Sequence, residues 1–260
     1  MPTPKKREQV AFPQHGVAVC RRLGPSGWWW PRYNTQTCVD PVWERGPFVR
    51  GIFITLEGTD GCGKSTQASL LVKRLNECLP DVKFVREPGG SNISEKVRAL
   101  LLDPQNDEMA DECELLLYEA SRAQLVREVL EPALERGTCI VCDRYFDSTT
   151  AYQSGGRGIP ENIVRAANEL GSCGLVPDRT IVFDLDPELA FSRATTDGAD
   201  RMEAAGLAFQ QRVRASYLRV AEAEPERVRI VDASGSVDEV FLRVVCELKD
   251  LIPSIDGGAA

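Results

Sequence analysis

The chain has 260 residues, 27% of them charged, and a formal net charge of −8 at pH 7. This length allows one large domain or two small ones, and a single α/β domain is the default expectation. The acidic balance argues against a general nucleic-acid-binding protein, which would carry a basic surface.

Residues 1–50 differ in composition from the rest of the chain. They contain all four tryptophans and several prolines, without sustained helical or strand periodicity. They also lack the apolar core of a secretory signal. We interpret this segment as an irregular extension that precedes a regular domain at residues 51–260. A start site placed too far upstream, with translation beginning near Val49, would account for it, and the intact mass of the natively expressed protein tests this hypothesis.

From residue 51 onward, apolar strands alternate with amphipathic helices. The predicted strands are residues 51–58, 82–90, 138–145, 178–186 and 227–234. The predicted helices are residues 64–79, 94–102, 112–137, 160–171, 187–194, 206–224 and 237–252. We expect the long third helix to be kinked or broken at Pro132, because proline cannot donate a backbone hydrogen bond. The alternation predicts a parallel sheet covered on both faces by helices.

The nine cysteines are scattered singly, except that Cys139 and Cys142 form a C-x-x-C. This pair lies in TCIVCD, a predicted buried strand whose alternate residues face opposite sides. No second Cys or His pair stands at the spacing of zinc ligands, so we favour a structural role over a redox or zinc site. Scattered cysteines suit a reducing, cytoplasmic compartment. No apolar run approaches the ~20 residues of a membrane span, so no membrane association is expected.

The stretch GTDGCGKST (residues 58–66) lies between the first strand and the first helix. It contains the pattern G-x-x-x-x-G-K-[ST], whose glycines let backbone N–H groups converge on an anion at a helix N-terminus. Lys64 can then reach the β and γ phosphates, and the Ser65 hydroxyl can bind Mg²⁺. A simple glycine-rich turn is the alternative. The predicted contacts to a nucleoside triphosphate are Gly58, Thr59, Asp60, Gly61, Cys62, Gly63, Lys64, Ser65 and Thr66.

Asp143, at the end of the strand TCIVCD, is the predicted carboxylate ligand of the same Mg²⁺. A motor, a GTPase and a small-molecule kinase share this kind of loop, so the acceptor must be identified elsewhere. The single histidine, His15, lies in the extension, which leaves no His general base in the regular domain. Its absence suits transfer to a phosphate oxygen, which is already largely ionised near neutral pH. The guanine-reading N-K-x-D element of GTPases is absent.

Seven motifs occur in order along residues 51–245: ITLEGTDGCGKSTQ, REPGGS, VRALLLD, YEASRAQLV, DRYFDSTTAYQSGGRG, PDRTIVFDLDPELAFSRA and DRME. On these motifs the chain resembles bacterial thymidylate kinases. The resemblance implies a three-layer P-loop kinase fold with a parallel five-stranded sheet and a short lid. It also implies transfer of the ATP γ-phosphoryl group to dTMP, which gives dTDP, and assembly as a homodimer.

The resemblance assigns roles to several polar residues. Tyr118 falls at the aromatic platform where thymine stacks, and Arg122, one helical turn later, would donate to a base carbonyl. Arg98 and Arg144 fall where the monophosphate binds, a task that suits guanidinium donors. Tyr152 would pack below the sugar and disfavour a ribose 2′-OH. Without the resemblance, Tyr118 could be a buried aromatic residue with an exposed Arg122 that snorkels past it, and Arg98 or Arg144 could be a surface ion-pair residue.

Five further residues are assigned to the acceptor in the same way. Ser148, Thr149 and Gln153 would surround the edge of the base. Asp60 and Glu87 would lie near the sugar hydroxyl and near the metal or the acceptor phosphate. Asp60 could instead stabilise its own loop, and Glu87 could cap a turn.

The phosphate loop has Gly61 and Cys62 where some thymidylate kinases place an arginine, so the lid must supply that charge. The candidate lid RATTDGADRME (residues 193–203) carries only Arg193 and Arg201. We expect Arg201, supported by Arg193, to neutralise the transferring phosphoryl group. Arg201→Ala should then lower kcat by orders of magnitude and leave dTMP affinity nearly unchanged.

Two other functions stay open from the sequence. One is a related nucleotide kinase whose acceptor is dUMP or a broader set of pyrimidine monophosphates. The other is an ATP-binding regulatory protein with little turnover, which the arginine-poor lid would favour. A panel of nucleoside monophosphates in an ADP-release assay distinguishes them.

Overall fold

The computed structural model describes residues 50–194 and 206–256; the rest of the predicted extension lies outside this range. Five strands form one parallel sheet in the order β2-β3-β1-β4-β5. They are β1 (Phe53–Gly58), β2 (Val82–Arg86), β3 (Cys139–Asp143), β4 (Arg179–Asp184) and β5 (Val228–Asp232). The sheet confirms the predicted number and direction of the strands.

Helices connect the strands and cover the sheet. They are α1 (Lys64–Cys78), α2 (Asn92–Leu102), α3 (Asp111–Leu125), α4 (Glu131–Glu135), α5 (Phe146–Thr149), α6 (Glu161–Gly171), α7 (Pro187–Ala194), α8 (Leu207–Ala223) and α9 (Val237–Cys246). Within the described ranges, no helix is both long and apolar enough to cross a membrane.

The C-x-x-C lies in a buried strand, as predicted. Cys139 packs into the apolar cluster that contains Leu56 and Leu71, whereas Cys142 packs into the cluster with Phe53 on the opposite face of the sheet. Both cysteines are free, and burial raises the pKa of each thiol above its ordinary value. Two thiols on opposite faces cannot act together on one ligand, so their role is packing.

Two predicted helices end differently in the structure. The long third helix is interrupted before Pro132 rather than at it: α3 passes into a π-helical stretch, Val126–Leu130, and then into α4. The wider turns precede the position where proline cannot donate to the carbonyl four residues earlier. The last predicted helix is too long, because α9 ends at Cys246. Irregular turns and the 3₁₀ turn Pro253–Asp256 follow it.

A further helical segment follows β3 and was not predicted. It consists of α5 and a π-helical stretch, Thr150–Gly156. Its last two glycines lie against α8: a Cβ on Gly155 would stand 2.5 Å from Ser216, and one on Gly156 would stand 2.5 Å from Phe209. These glycines allow the segment to pack closely on α8, and this packing fixes the residues that follow Asp143.

Candidate active site

A cleft of about 480 Å³ opens at the carboxyl ends of β1, β2 and β3. It brings together most of the predicted site residues from distant parts of the chain. These are Asp60, Gly61, Gly63, Lys64, Ser65, Thr66, Glu87, Arg98, Tyr118, Arg122, Asp143, Arg144, Ser148, Thr149 and Tyr152. Arg86, Pro88, Leu102 and Tyr145 complete the lining.

The phosphate loop lies between the fully buried β1 and the first turn of α1. Gly63, at the N-cap of α1, has a φ of +91°, a left-handed conformation that favours glycine, and a Cβ there would meet nothing within 4 Å. The open space above this residue leaves room for an anion at the helix N-terminus. Lys64 is buried, and its ammonium group donates to the carbonyls of Gly58 (3.1 Å) and Thr59 (3.0 Å). The loop thus holds its lysine with its own backbone.

Asp143 and Ser65 face the cleft from neighbouring elements. Asp143 ends β3, and its Oδ1 atom is buried without a hydrogen-bond partner among the described residues. Ser65 is exposed at the start of α1. A buried carboxylate oxygen without a partner is a strong candidate ligand for a cation.

Arg144 connects the segment after β3 to the phosphate loop. Its guanidinium donates to the Gly58 carbonyl (3.0 Å), forms an ion pair with Asp60 (2.5 Å) and lies over the ring of Tyr152 (4.9 Å to the centroid). The Tyr152 hydroxyl also meets the other oxygen of Asp60 at 3.1 Å. Burial by itself would raise the pKa of Asp60, but the charges of Arg144 and Lys64 hold it below its ordinary value. Asp60 is therefore ionised at neutral pH.

Arg122 is fully buried and binds two carboxylates. It donates to Glu87 (2.7 Å), Glu119 (2.5 Å) and Thr149 (2.9 Å), and it contacts Asn168 at 3.4 Å. Burial raises the pKa of Glu87 to about 7, although Arg122 opposes this shift and Glu119 adds to it. Arg122 is therefore a buried ion-pair residue and not an exposed side chain that snorkels past a buried aromatic ring, whereas Tyr118 is only half-buried on the cleft wall.

Three other residues predicted to bind the acceptor line the same cleft. Arg98 is half-buried and donates to the Pro88 carbonyl at 2.8 Å. Ser148 and Thr149 follow Arg144 on α5, and both line the cleft. These groups therefore share one cleft with the phosphate loop, Arg144 and Tyr118.

The sequence profile of the thymidylate kinases matches residues 56–244. The chain belongs to the thymidylate kinase family. It is 44% identical over 208 residues to a thymidylate kinase from Symbiobacterium thermophilum, covering 80% of this chain and 97% of that protein. It is 48% identical over 192 residues to one from Deinococcus radiodurans, covering 74% and 93%. The thymidylate kinase structure from Ehrlichia chaffeensis superposes with a TM-score of 0.62 at 32% identity, covering 76% of this chain and 99% of that chain.

This likeness confirms the P-loop kinase fold and the family that the motifs indicate. Some of the predicted site residues, however, do not line the cleft. Gly58, Thr59 and Cys62 belong to the loop but are not among the lining residues, and Gln153 is buried and donates to Glu114 at 2.7 Å.

The predicted lid falls mostly outside the described residues. Arg193 is exposed near the end of α7. Arg201 lies outside the part of the chain that the structure describes, so its predicted role stays a prediction.

The sequence interpretation missed two residues beneath the site. Glu57 is fully buried at the end of β1, and Tyr217 is buried on α8. Both contact Ser148, and Tyr217 also meets Arg144. A lone carboxylate in the otherwise uncharged strand FITLEG was a usable signal, because buried charges are rare unless they are paired. Tyr217 carries no comparable signal, since a buried tyrosine on a helix is ordinary.

Proposed function

We propose that the cleft binds the ATP phosphates over the phosphate loop and dTMP between Arg144 and Tyr118. The reaction is that of the family: the chain transfers the γ-phosphoryl group of ATP to dTMP, giving dTDP and ADP. The contact that supports the arrangement best is the one between Arg144 and the Gly58 carbonyl, 3.0 Å long. It brings a cation from the acceptor side within reach of the donor loop.

On the donor side, the loop amides and Lys64 would bind the β and γ phosphates. Lys64 exchanges its hydrogen bonds to the loop carbonyls for bonds to phosphate oxygens, which carry full charge. The family uses ATP as donor, generally with a divalent metal. The residues present fit Mg²⁺, because the unpartnered Oδ1 of Asp143 and the exposed Ser65 hydroxyl are hard oxygen donors. When bound, the ion neutralises phosphate charge.

On the acceptor side, Arg144 and Arg98 would bind the dTMP phosphate, and Tyr118 would stack on the thymine. The described residues accept four of the five N–H groups of Arg122, which leaves one for a base carbonyl. Asp60 and Tyr152, already joined by a hydrogen bond, would contact the sugar.

In-line transfer then needs little acid or base chemistry. The dTMP phosphate oxygen attacks the γ-phosphorus, the bond to the β,γ-bridging oxygen breaks, and ADP leaves. Lys64, Arg144 and the lid arginines Arg193 and Arg201 are the cations we assign to the charge that spreads in the transition state. No proton must be removed from an acceptor phosphate that is already ionised.

A panel of dTMP, dUMP, dCMP and UMP in a coupled ADP-release assay tests this function. We expect dTMP to have the highest kcat/KM and UMP to be rejected, because Tyr152, packed below the sugar in this proposal, would disfavour a ribose 2′-OH. Comparable turnover of dUMP would favour the broader pyrimidine kinase. Tight ATP binding without turnover of any acceptor would favour the regulatory protein.

We also propose a homodimer that forms through the layer of α2, α3 and α6. These helices pack on one another and leave large apolar side chains outside: Leu100 on α2, Leu116 (64% exposed) on α3, and Leu170 (78% exposed) on α6. Sedimentation equilibrium should give a two-chain mass, and Leu116→Glu should lower it to that of one chain. A monomeric wild-type protein would contradict the proposal.

A cytoplasmic location is part of the same proposal. Seven cysteines lie within the described residues, and all seven are free thiols. Free thiols persist in a reducing compartment. Fractionation of cells that express the native protein tests this location, and recovery in an extracytoplasmic fraction would contradict it.

A further inference from the structure

Arg144 adopts an unusual backbone conformation at the centre of the site. Its φ is +69°, in the left-handed region that non-glycine residues rarely occupy. Such a conformation is strained and persists only where the surrounding structure holds it. The groups that hold it therefore decide where the guanidinium points.

Strand β1 fixes the backbone on both sides of this residue. The Arg144 N–H donates to the Leu56 carbonyl at 3.0 Å, which extends the pairing between the strands. The next N–H, that of Tyr145, donates to Glu57 Oε1 at 2.7 Å. One carboxylate oxygen of Glu57 thus takes the place of a backbone acceptor immediately after Arg144.

The other oxygen of Glu57 organises two hydroxyls beneath the guanidinium. Glu57 Oε2 accepts from Ser148 Oγ (2.5 Å) and from the Tyr217 hydroxyl (2.9 Å), which lie 2.8 Å from each other. Arg144 Nη1 approaches the same two hydroxyl oxygens at 3.1 and 3.3 Å. Each hydroxyl has a single proton, so one that donates to Glu57 must present its lone pairs to Arg144.

We propose that Glu57 and Tyr217 are positioning residues that hold the Arg144 guanidinium toward the acceptor phosphate. The inference rests on the role of Arg144 proposed above. Neither side chain lines the cleft, and both act through Arg144: Tyr217 contacts it directly, and Glu57 reaches it through the hydroxyls of Ser148 and Tyr217. Tyr217 also ties this cluster to α8, on which the segment Thr150–Gly156 packs.

The test measures dTMP binding by calorimetry at pH 8 without ATP, and turnover separately. Tyr217→Phe should raise the dTMP Kd about tenfold, the loss expected for one hydrogen bond to a charged group, while the KM for ATP stays within about twofold of wild type. Glu57→Gln should weaken binding at least as much, because one amide oxygen cannot serve both Tyr145 N–H and the two hydroxyls.

A double-mutant cycle separates positioning from general packing. In an Arg144→Ala background, Tyr217→Phe should change the dTMP Kd by less than about twofold, because the group through which it acts is gone. Two control variants remove packing atoms or a buried hydrogen bond at other positions of α8 and β1, the elements that carry Tyr217 and Glu57. Val220→Ala removes methyl groups from α8, and Thr55→Val removes the bond between Thr55 and Thr180. Both should keep the wild-type Kd.

The outcomes discriminate between this inference and the proposed function. If Arg144→Ala weakens dTMP binding while Tyr217→Phe and Glu57→Gln do not, the positioning role alone is wrong. An equal effect of Tyr217→Phe in both backgrounds overturns it as well. If Arg144→Ala leaves binding unchanged, the phosphate role of Arg144 fails and this inference fails with it. Should Tyr217→Phe not fold, Glu57→Gln in the same cycle decides the question.

Discussion

The phosphate loop and the acceptor side of the cleft are built in different ways. The loop is continuous in sequence and holds Lys64 with two of its own carbonyls. The acceptor side collects residues from α2, α3, α5 and the segments that follow β1, β2 and β3, and it joins buried charges such as Arg122, Glu87 and Glu119. A substitution in the loop should therefore change the rate of phosphoryl transfer but not the stability of the fold. A substitution on the acceptor side should also leave a buried charge without its partner, and so change stability.

The largest expected effect is on the donor side. Lys64→Ala should lower kcat by about 10³-fold, because it removes a cation positioned on the transferring phosphoryl group. The dTMP Kd without ATP should stay close to that of wild type. Lys73→Ala, an exposed lysine on the same helix, is the control. A large change in the dTMP Kd of Lys64→Ala would show that the phosphate loop also affects acceptor binding.

Arg122→Met should reduce the free energy of unfolding by about 3–5 kcal/mol, because it leaves two buried carboxylates without a cation. Urea denaturation at pH 8 measures the change. Arg127→Met provides the comparison, since Arg127 forms an exposed pair with Glu131 worth about 1 kcal/mol or less. Equal losses in the two variants would mean that the buried network contributes no more than a surface pair.

Glu57→Gln should flatten the dependence of stability on pH. Burial, with the negative charge of Asp147, raises the pKa of Glu57 from 4.5 to about 7, although Arg144 opposes this shift and Tyr217 and Glu87 lie nearby. Between pH 4.5 and 7 the folded chain keeps a proton that the unfolded chain has released, so this contribution to stability is lost as pH rises to about 7.

The variant lacks that titration. Its free energy of unfolding, measured by urea denaturation, should fall less than that of the wild type between pH 5 and 8, by on the order of 2 kcal/mol. Thr55→Val, which changes a neutral buried residue of the same strand, should keep the wild-type slope. Parallel curves for Glu57→Gln and wild type would rule out the raised pKa.

The smallest effect is expected at Cys62. Its side chain is buried and approaches Lys64 only at 3.8 Å, and the loop binds phosphate through backbone N–H groups. Cys62→Ala should therefore change kcat and the KM for ATP by less than about threefold in the ADP-release assay. A roughly tenfold loss of kcat would indicate that the thiol helps to position Lys64, and it would contradict phosphate binding through backbone N–H groups alone.

The sequence predicted the position of the phosphate loop because the residues that form it are contiguous. The spacing of residues 58–65 between a strand and a helix is enough to define a phosphate loop, and Asp143 follows from the end of a buried strand. The acceptor residues were assigned by resemblance, and most of them line the cleft. Gln153 does not, because its amide is used by Glu114, a partner 39 residues away that spacing alone does not reveal.

By itself, the sequence determined the alternation of strands and helices, the phosphate loop and the family, because these depend on short-range patterns and contiguous motifs. The tertiary structure alone decided how Arg144 is held. Its guanidinium meets Gly58, Ser148 and Tyr217, which lie far apart in the sequence and come together only because β1 and β3 are neighbours and α8 packs on the segment after β3. Contacts between such distant positions arise from sheet order and helix packing, and these follow from burial of the whole core.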